Sequence, residues 1–331
     1  MSADGADAMG NLTRILITGA NGFVGRAAVA EARHQGLEVV AVYRREPLES
    51  WAGDPGVFAQ RADLSDRESI GLLKEAMSGV GAVIHAAAHM GGDADKHADD
   101  TLRGTEILLE AMQGSEAQLI LVSSIAVYDT MQLDPGATLT ENSPLESPET
   151  ARDAYTAAKL QQETQCSDTG RSVWIMRPGA VYGPGRTWHA LLGFWASKAH
   201  VQINSDGQLP LVHVDHLATS LIAATKTPPN GLQAVNIIDD DLPTRARFLE
   251  THRKLAGWPR LVLPVPYSLW LAGVRSLKPL AHKLPGLFQE PILRARMMPL
   301  SYPNTALRSF LGGADHAPFE DMLKQSLEGQ E

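Results

Sequence analysis

The chain has 331 residues, with 29 Lys+Arg against 38 Asp+Glu and a net charge of −9 at pH 7. An apolar fraction of 44% with 20% charged residues suits a sizeable core and excludes a mainly disordered chain. The acidic balance argues against a nucleic-acid partner, which needs a basic face. At roughly 150 residues per domain, the length fits two domains or one large α/β unit.

Residues 1–11 are small and acidic, without a cationic segment followed by an apolar run. They are expected to form a flexible tail rather than a secretory signal. Residues 14–18 (RILIT) are a short apolar run ending in glycines, which predicts a buried strand. Residues 23–34 have helical spacing, and residues 37–42 predict a second strand. Apolar runs at 57–60, 82–85, 119–122 and 173–176 alternate with helical patterns at 66–77, 101–112 and 153–166. Strand alternating with helix implies parallel pairing, and so an α/β fold with a Rossmann-type doubly wound sheet over residues 12–184. After Pro184 the pattern changes. Short strand-like pieces at 201–203, 211–214 and 234–237 alternate with helices and prolines. Residues 185–331 are therefore expected to form a smaller substrate-binding lobe, partly interleaved with the first domain. The apolar stretch at 261–274 carries Pro264 and Pro266 and is too short to span a bilayer. It predicts a buried helix or a wall of the substrate site, with contact to a membrane surface as the weaker reading.

The first chemical motif is Thr18-Gly19-Ala20-Asn21-Gly22-Phe23-Val24-Gly25, between the first strand and the first helix. Glycines here permit a tight turn, backbone approach by a pyrophosphate and close helix–strand packing. The helix N-terminus adds free N–H groups and a positive dipole end. The second strand ends Val42-Tyr43-Arg44-Arg45. An NAD site usually has an acid at that place. Two guanidinium groups suit a 2′-phosphate instead, which favours NADP(H), with NAD(H) as the other possibility. Asp63-Leu64 follows the third strand, where Asp63 can meet the adenine or cap the helix that follows.

Tyr155 and Lys159 stand at i and i+4 on one helix face. The cation favours the phenolate and lowers the Tyr pKa toward a useful range. Ser124 lies just after the fifth strand, where its hydroxyl can hold a carbonyl oxygen. Tyr155 can then donate a proton to that oxygen while a nicotinamide delivers hydride.

These residues, with Val83-Ile84-His85-Ala86-Ala87-Ala88, the Arg177–Gly185 segment (RPGAVYGPG) and Val212-His213-Val214-Asp215, resemble the extended short-chain dehydrogenase/reductase superfamily of the NAD(P)-dependent epimerase/dehydratase type. The resemblance covers most of the chain. It implies Ser124, Tyr155 and Lys159 as the catalytic set, Pro178 to Val181 beside the nicotinamide, and Ala86 and Ala87 beside the cofactor. It also implies a homodimer through the helices beginning near Thr101 and Asp153. The tail from Pro264 to Gly312 is loosely similar to the 3β-hydroxysteroid dehydrogenase and dihydroflavonol-reductase branch.

Departures from the superfamily narrow the reaction. Ile125-Ala126 follows Ser124 where sugar-nucleotide dehydratases carry an Asp-Glu pair. Leu209 stands where many sugar-nucleotide epimerases carry an arginine for the diphosphate. Thr101 replaces the usual asparagine of a proton relay. Trp188, Leu191, Leu192, Phe194 and Trp195 suggest an apolar wall or, equally, the core stripe of a helix. His89 and Met90, in a loop at the C-terminal end of a strand, are candidates for substrate contact, as are Arg186 and Trp188.

Other candidates are discounted. The 93–99 segment fails the calcium-loop pattern at its sixth and twelfth positions and reads as an acidic loop leading into a helix. His85 and His89 do not form a helical metal site, since His85 ends a strand; no metal is expected. Cys166, the only cysteine, has no basic neighbour and reads as an inert thiol in a reducing compartment.

The sequence therefore points to a cytoplasmic NADP(H)-dependent reductase or dehydrogenase of a small, fairly apolar carbonyl or secondary alcohol, without an integral membrane segment. The alternatives are a nucleotide-sugar 4-epimerase with tightly bound NAD, and a non-catalytic NADP(H)-sensing regulator.

Overall fold

A computed structural model describes residues 12–284 and 286–329. The expected tail at 1–11 lies outside the described residues. The elements run β1 (Arg14–Thr18), α1 (Phe23–His34), β2 (Glu38–Tyr43), β3 (Val57–Arg61), α2 (Ser69–Ala76) and β4 (Ala82–His85). There follow α3 (Ala94–Lys96), which continues as a π-helical stretch His97–Arg103, then α4 (Gly104–Ala111), β5 (Gln118–Val122), α5 (Ala154–Ser167) and β6 (Val173–Pro178). Next come β7 (Ala180–Tyr182), β8 (Phe194–Ala196), β9 (Ala199–Asn204), β10 (Leu211–His213), α6 (Val214–Lys226) and β11 (Leu232–Ile237). The remainder includes α7 (Arg245–Ala256), β12 (Leu261–Pro266), α8 (Tyr267–Ser276) and the helices Glu290–Met297, Thr305–Leu311 and Phe319–Glu328.

Strands β1, β4, β5 and β6 are almost wholly apolar and buried on both faces, as a sheet covered by helices on both sides requires. They join a seven-stranded sheet in the order β11-β6-β5-β4-β1-β2-β3, in which β1 to β6 pair in parallel. The order reverses between β1 and β4. This is the topological switch point at which such sheets open a crevice beyond the carboxyl ends of their strands.

The chain divides into two compact units that interleave in sequence. The first comprises the chain up to Ser123, Asp153–Arg177 and Leu217–Val235, and the second comprises Ser124–Arg152, Pro178–His216 and the chain from Asn236 on. In the first unit, Leu16, Val40, Val83, Leu121 and Ile175 of the sheet pack in one core with Leu73, Ile107 and Leu108 of the helices. The second unit has its own core of Tyr182, Leu192, Leu209, Leu211, Phe248 and Phe319. It also has two small sheets, β10-β7 and β12-β9-β8.

Three expectations are corrected. The acidic stretch at 93–99 is no loop. The Asp93 side chain accepts from the N–H groups of Asp95 and Lys96, so the helix starts at Ala94, earlier than the predicted Thr101, and passes through the π-helical turns before α4. The aromatic stretch at 188–195 is not a helix stripe. Ala190–Leu192 form a single 3₁₀ turn, and Phe194, Trp195 and Ala196 pair antiparallel with Val201, His200 and Ala199 as a short strand. The 261–274 stretch is not a buried helix. Pro264 and Pro266 lack the donors of an inner strand, β12 forms one edge of its sheet, and α8 buries only Tyr267 and Val274.

Candidate cofactor and active site

Beyond β1 the backbone turns at Gly19, whose φ is +64°, and an added Cβ would lie 2.9 Å from the Ala87 Cα. A Cβ on Gly25 would lie 2.1 Å from the Gly19 carbonyl oxygen, so α1 can dock against this turn only with glycine there. No side chain caps α1 at Gly22, which leaves its first N–H groups to a ligand. Phe23 and Val24 begin the helix and are half-buried. The crevice beyond these turns is lined by Gly19, Asn21, Gly22, Tyr43, Arg44, Asp63, Leu64, Ala86, Ala87 and Asp100, among others. Most of the predicted cofactor residues of this unit are therefore together. A glycine cradle at a helix N-terminus, with polar groups at the far end of β2, fits a dinucleotide.

At that far end Arg44 donates to Asp100 at 2.7 Å, while Arg45 is exposed and is not part of the lining. Asp63 does not cap α2, whose N-cap is Glu68. Asp63 lines the crevice, and its carboxylate accepts from the Ser65 N–H at 3.0 Å and hydroxyl at 2.8 Å, ordering the turn before α2. These hydrogen bonds and the charge of Arg44 hold its pKa below the usual carboxylate value against the opposing effect of burial.

Helix α5 starts at Asp153, whose carboxylate accepts from the Thr156 N–H at 2.8 Å. Tyr155 is half-buried in its first turn, and Lys159, one turn on, is 3% exposed. The ammonium donates to the Val122 carbonyl at 2.8 Å and to Gln162 Oε1 at 2.9 Å. Burial pushes its pKa down to about 8, although the nearby Glu163 acts the other way. Gln162 in turn donates to Thr105 Oγ1 at 2.8 Å. Thr105 gives its own proton to the Thr101 carbonyl at 2.7 Å, so it accepts from Gln162 and also, at 2.9 Å, from His85 Nε2. His85 Nδ1 then accepts from Thr18 at 2.7 Å, and Thr18 Oγ1 accepts from the Ala87 N–H at 3.3 Å. One chain of hydrogen bonds thus links the glycine turn to the lysine. Burial, and secondly the charge of Lys159, push the His85 pKa down to about 3, so its ring is neutral.

Three features of this site were not anticipated from the sequence. Gln162 lies three residues after Lys159 on the same helix face, a spacing that could have shown it. Glu163 accepts from Ser123 Oγ at 2.5 Å and from Arg177 at 2.7 Å, a buried ion pair below the lysine. His97 left no signal: its ring stands 6.0 Å from that of Tyr155 and 4.9 Å from that of His89. His89 is half-buried and Met90 is exposed. Thr101 Oγ1 accepts from the His89 N–H at 2.9 Å, so the asparagine replacement orders the loop after β4.

The remaining predicted residues belong to the second unit. The Ser124 hydroxyl accepts from the Ala126 N–H at 3.1 Å at the start of a 3₁₀ turn. Pro178 ends β6, and Val181 of β7 pairs with Val212 of β10. Arg186 is exposed in a tight turn with Gly183. Trp188 packs among aromatic rings, 4.7 Å from Trp258 and 5.0 Å from His200. Leu209 is fully buried.

Glycine turn, crevice at the switch point and Tyr–Lys helix define an NAD(P)-dependent oxidoreductase of the extended short-chain dehydrogenase/reductase type. The profile described as "NAD dependent epimerase/dehydratase family" matches residues 15–237, and the chain belongs to that family. It is similar to a ceramide reductase of Caulobacter vibrioides, 26% identical over 76% of this chain and 74% of the relative. It is also similar to 4-hydroxy-2-methyl-3-oxo-4-farnesyl-3,4-dihydroquinoline-1-oxide ketoreductase of Stigmatella aurantiaca, 26% identical over 85% of this chain and 84% of the relative. The fold is that of UDP-glucose 4-epimerase from Bifidobacterium longum, solved with NAD+ and UDP. That match has a TM-score of 0.70 and 19% identity, and covers 96% of this chain and 98% of the epimerase.

Proposed function

We propose that this protein is an NADP(H)-dependent reductase of a small, fairly apolar ketone or aldehyde, working in reverse as a dehydrogenase of the secondary alcohol. The nicotinamide cofactor, when bound, supplies the hydride. The Tyr155 phenol gives its proton to the carbonyl oxygen as the alcohol forms. The buried ammonium of Lys159 stabilises the phenolate left behind. Ser124, directly after β5, takes the role of holding the carbonyl oxygen. The neutral His85 and Gln162 keep the lysine and the glycine turn in register.

The observation that carries this reading over the epimerase is Leu209. It is fully buried in an apolar core, at the position where an arginine would hold a diphosphate. The two relatives named above are both reductases, which supports the same choice. Arg44 at the far end of the crevice supports NADP(H), its bond to Asp100 opening to a 2′-phosphate. The protein is further proposed to act in the cytoplasm as a homodimer, packed through α4 and α5.

Purified protein, with any bound nucleotide first identified and removed, is titrated with NADPH and NADH and then assayed on a panel of ketones and aldehydes. Tighter NADPH binding and NADPH oxidation on the panel are expected, with Tyr155→Phe losing turnover by about 10²–10⁴-fold while still binding the cofactor. Retained NAD with no net oxidation of either cofactor would establish the epimerase instead. Light scattering on the same preparation reads the dimer.

A further inference from the structure

Residues 251–289 hold six Lys or Arg and no Asp or Glu, in a chain whose net charge is −9. The same stretch holds most of the large apolar side chains that the second unit exposes. Of the fifteen large apolar residues exposed among the described residues, seven lie between 255 and 280. Leu269 is 65% exposed, Leu261 53% and Leu280 51%. Leu261 and Leu263 alternate onto one face of the edge strand β12. Helix α8 is held from its inner side: Trp270 packs against Phe194 and Phe288 and donates to the Leu287 carbonyl at 2.9 Å. Its exposed leucine is therefore a fixed feature. Arg253, Lys254 and Arg260 rim one surface groove beside β12, with Glu250 as its acid. Among the described residues, Arg253, Lys254, Arg260 and Lys278 form no ion pair.

Exposed apolar side chains grouped this closely along the chain point to an interaction site. Cations and exposed leucines that alternate along this stretch of chain fit an anionic lipid surface, where the cations meet headgroups and the leucines enter the acyl boundary. A second copy fits poorly, because a two-fold contact would set this cationic stretch against itself. No helix among the described residues is long and apolar enough to cross a membrane, so the attachment proposed is peripheral. We propose that residues 253–280 dock the protein on an anionic bilayer surface. This docking is independent of the reaction proposed above.

The full chain is floated with vesicles of phosphatidylcholine alone and of phosphatidylcholine mixed with phosphatidylglycerol. It is expected to float with the mixed vesicles, less so at high salt, and little with the neutral ones. Replacing Arg253, Lys254 and Arg260 together by Gln should lower the partition coefficient on the order of a hundredfold, at about fivefold per cation. Leu263→Ser with Leu269→Ser should release the protein from the mixed vesicles with its circular dichroism unchanged. No flotation, equal flotation with both vesicles, or full flotation of either variant would overturn the proposal. So would a concentration-dependent dimer, without flotation, that Leu269→Ser breaks.

Discussion

Each unit buries a cation. Lys159, in the first, is 3% exposed, and Arg245, in the second, is 2% exposed. The lysine donates to one carbonyl and to Gln162, and burial brings its pKa down to about 8, within reach of neutral pH. The arginine donates to the Leu191 carbonyl at 2.8 Å, the Ser205 hydroxyl at 2.6 Å and the Arg296 carbonyl. Burial lowers its pKa only to about 10, so it stays charged. A guanidinium offers many fixed donors and holds its proton, which suits it to tying loops together. An ammonium is a point charge whose proton is readily tuned, which suits it to a reaction site.

The comparison breaks most sharply on activity. Lys159→Met should lower turnover by about 10²–10⁴-fold if, as proposed, Tyr155 is the proton donor, since its phenolate would lose the counter-charge. The melting temperature of the cofactor-free variant should fall only slightly, because removing a buried charge offsets the two hydrogen bonds lost. A large fall would make Lys159 a structural cation like its counterpart. Arg245→Ala should do the reverse. Leaving buried acceptors unpaired should cost about 3–5 kcal/mol in a denaturant titration, with NADPH affinity unchanged in the folded fraction.

Acid should act on both units alike. His85 and His213 are each held by burial near a pKa of about 3, against 6.5 when unfolded. Below about pH 6.5 the unfolded chain takes up protons that the folded one refuses, so stability falls as pH falls toward 3. The slope from His85 alone reaches about 1.4 kcal/mol per pH unit. Denaturant midpoints between pH 4 and 7 read it, and His85→Asn should flatten it. The smallest effect is expected of Gln162→Leu. It removes one acceptor from the ammonium, so the loss of reductase activity as Lys159 deprotonates above about pH 8 should begin at lower pH. An unchanged pH profile would show that Gln162 does not tune the lysine.

Much of the first unit is legible in the order of its residues. The runs at 14–18 and 82–85 and the helix at 23–34 coincide with β1, β4 and α1. In each, periodicity, a glycine turn and burial point the same way. The glycine loop marked one wall of the crevice because its spacing reflects local backbone geometry. Where local pattern and long-range pairing compete, the pattern misleads. The aromatic run at 188–195 looks amphipathic until β9 pairs with Phe194–Ala196. The 261–274 run looks like core until β12 takes its place at a sheet edge.

The sequence by itself determined the family, the α/β class, the glycine turn and the Tyr–Lys spacing, because each depends on residues a few positions apart along one strand, turn or helix. Only the tertiary structure decided that Thr18, His85, Thr105, Gln162 and Lys159 form one hydrogen-bonded chain. Those residues come from two strands and two helices, and only the strand order that sets β4 beside β1 brings His85 next to Thr18. It also decided that the apolar stretch from 261 is surface rather than core. Burial is a property of what packs against a segment, and that is not written in the segment itself.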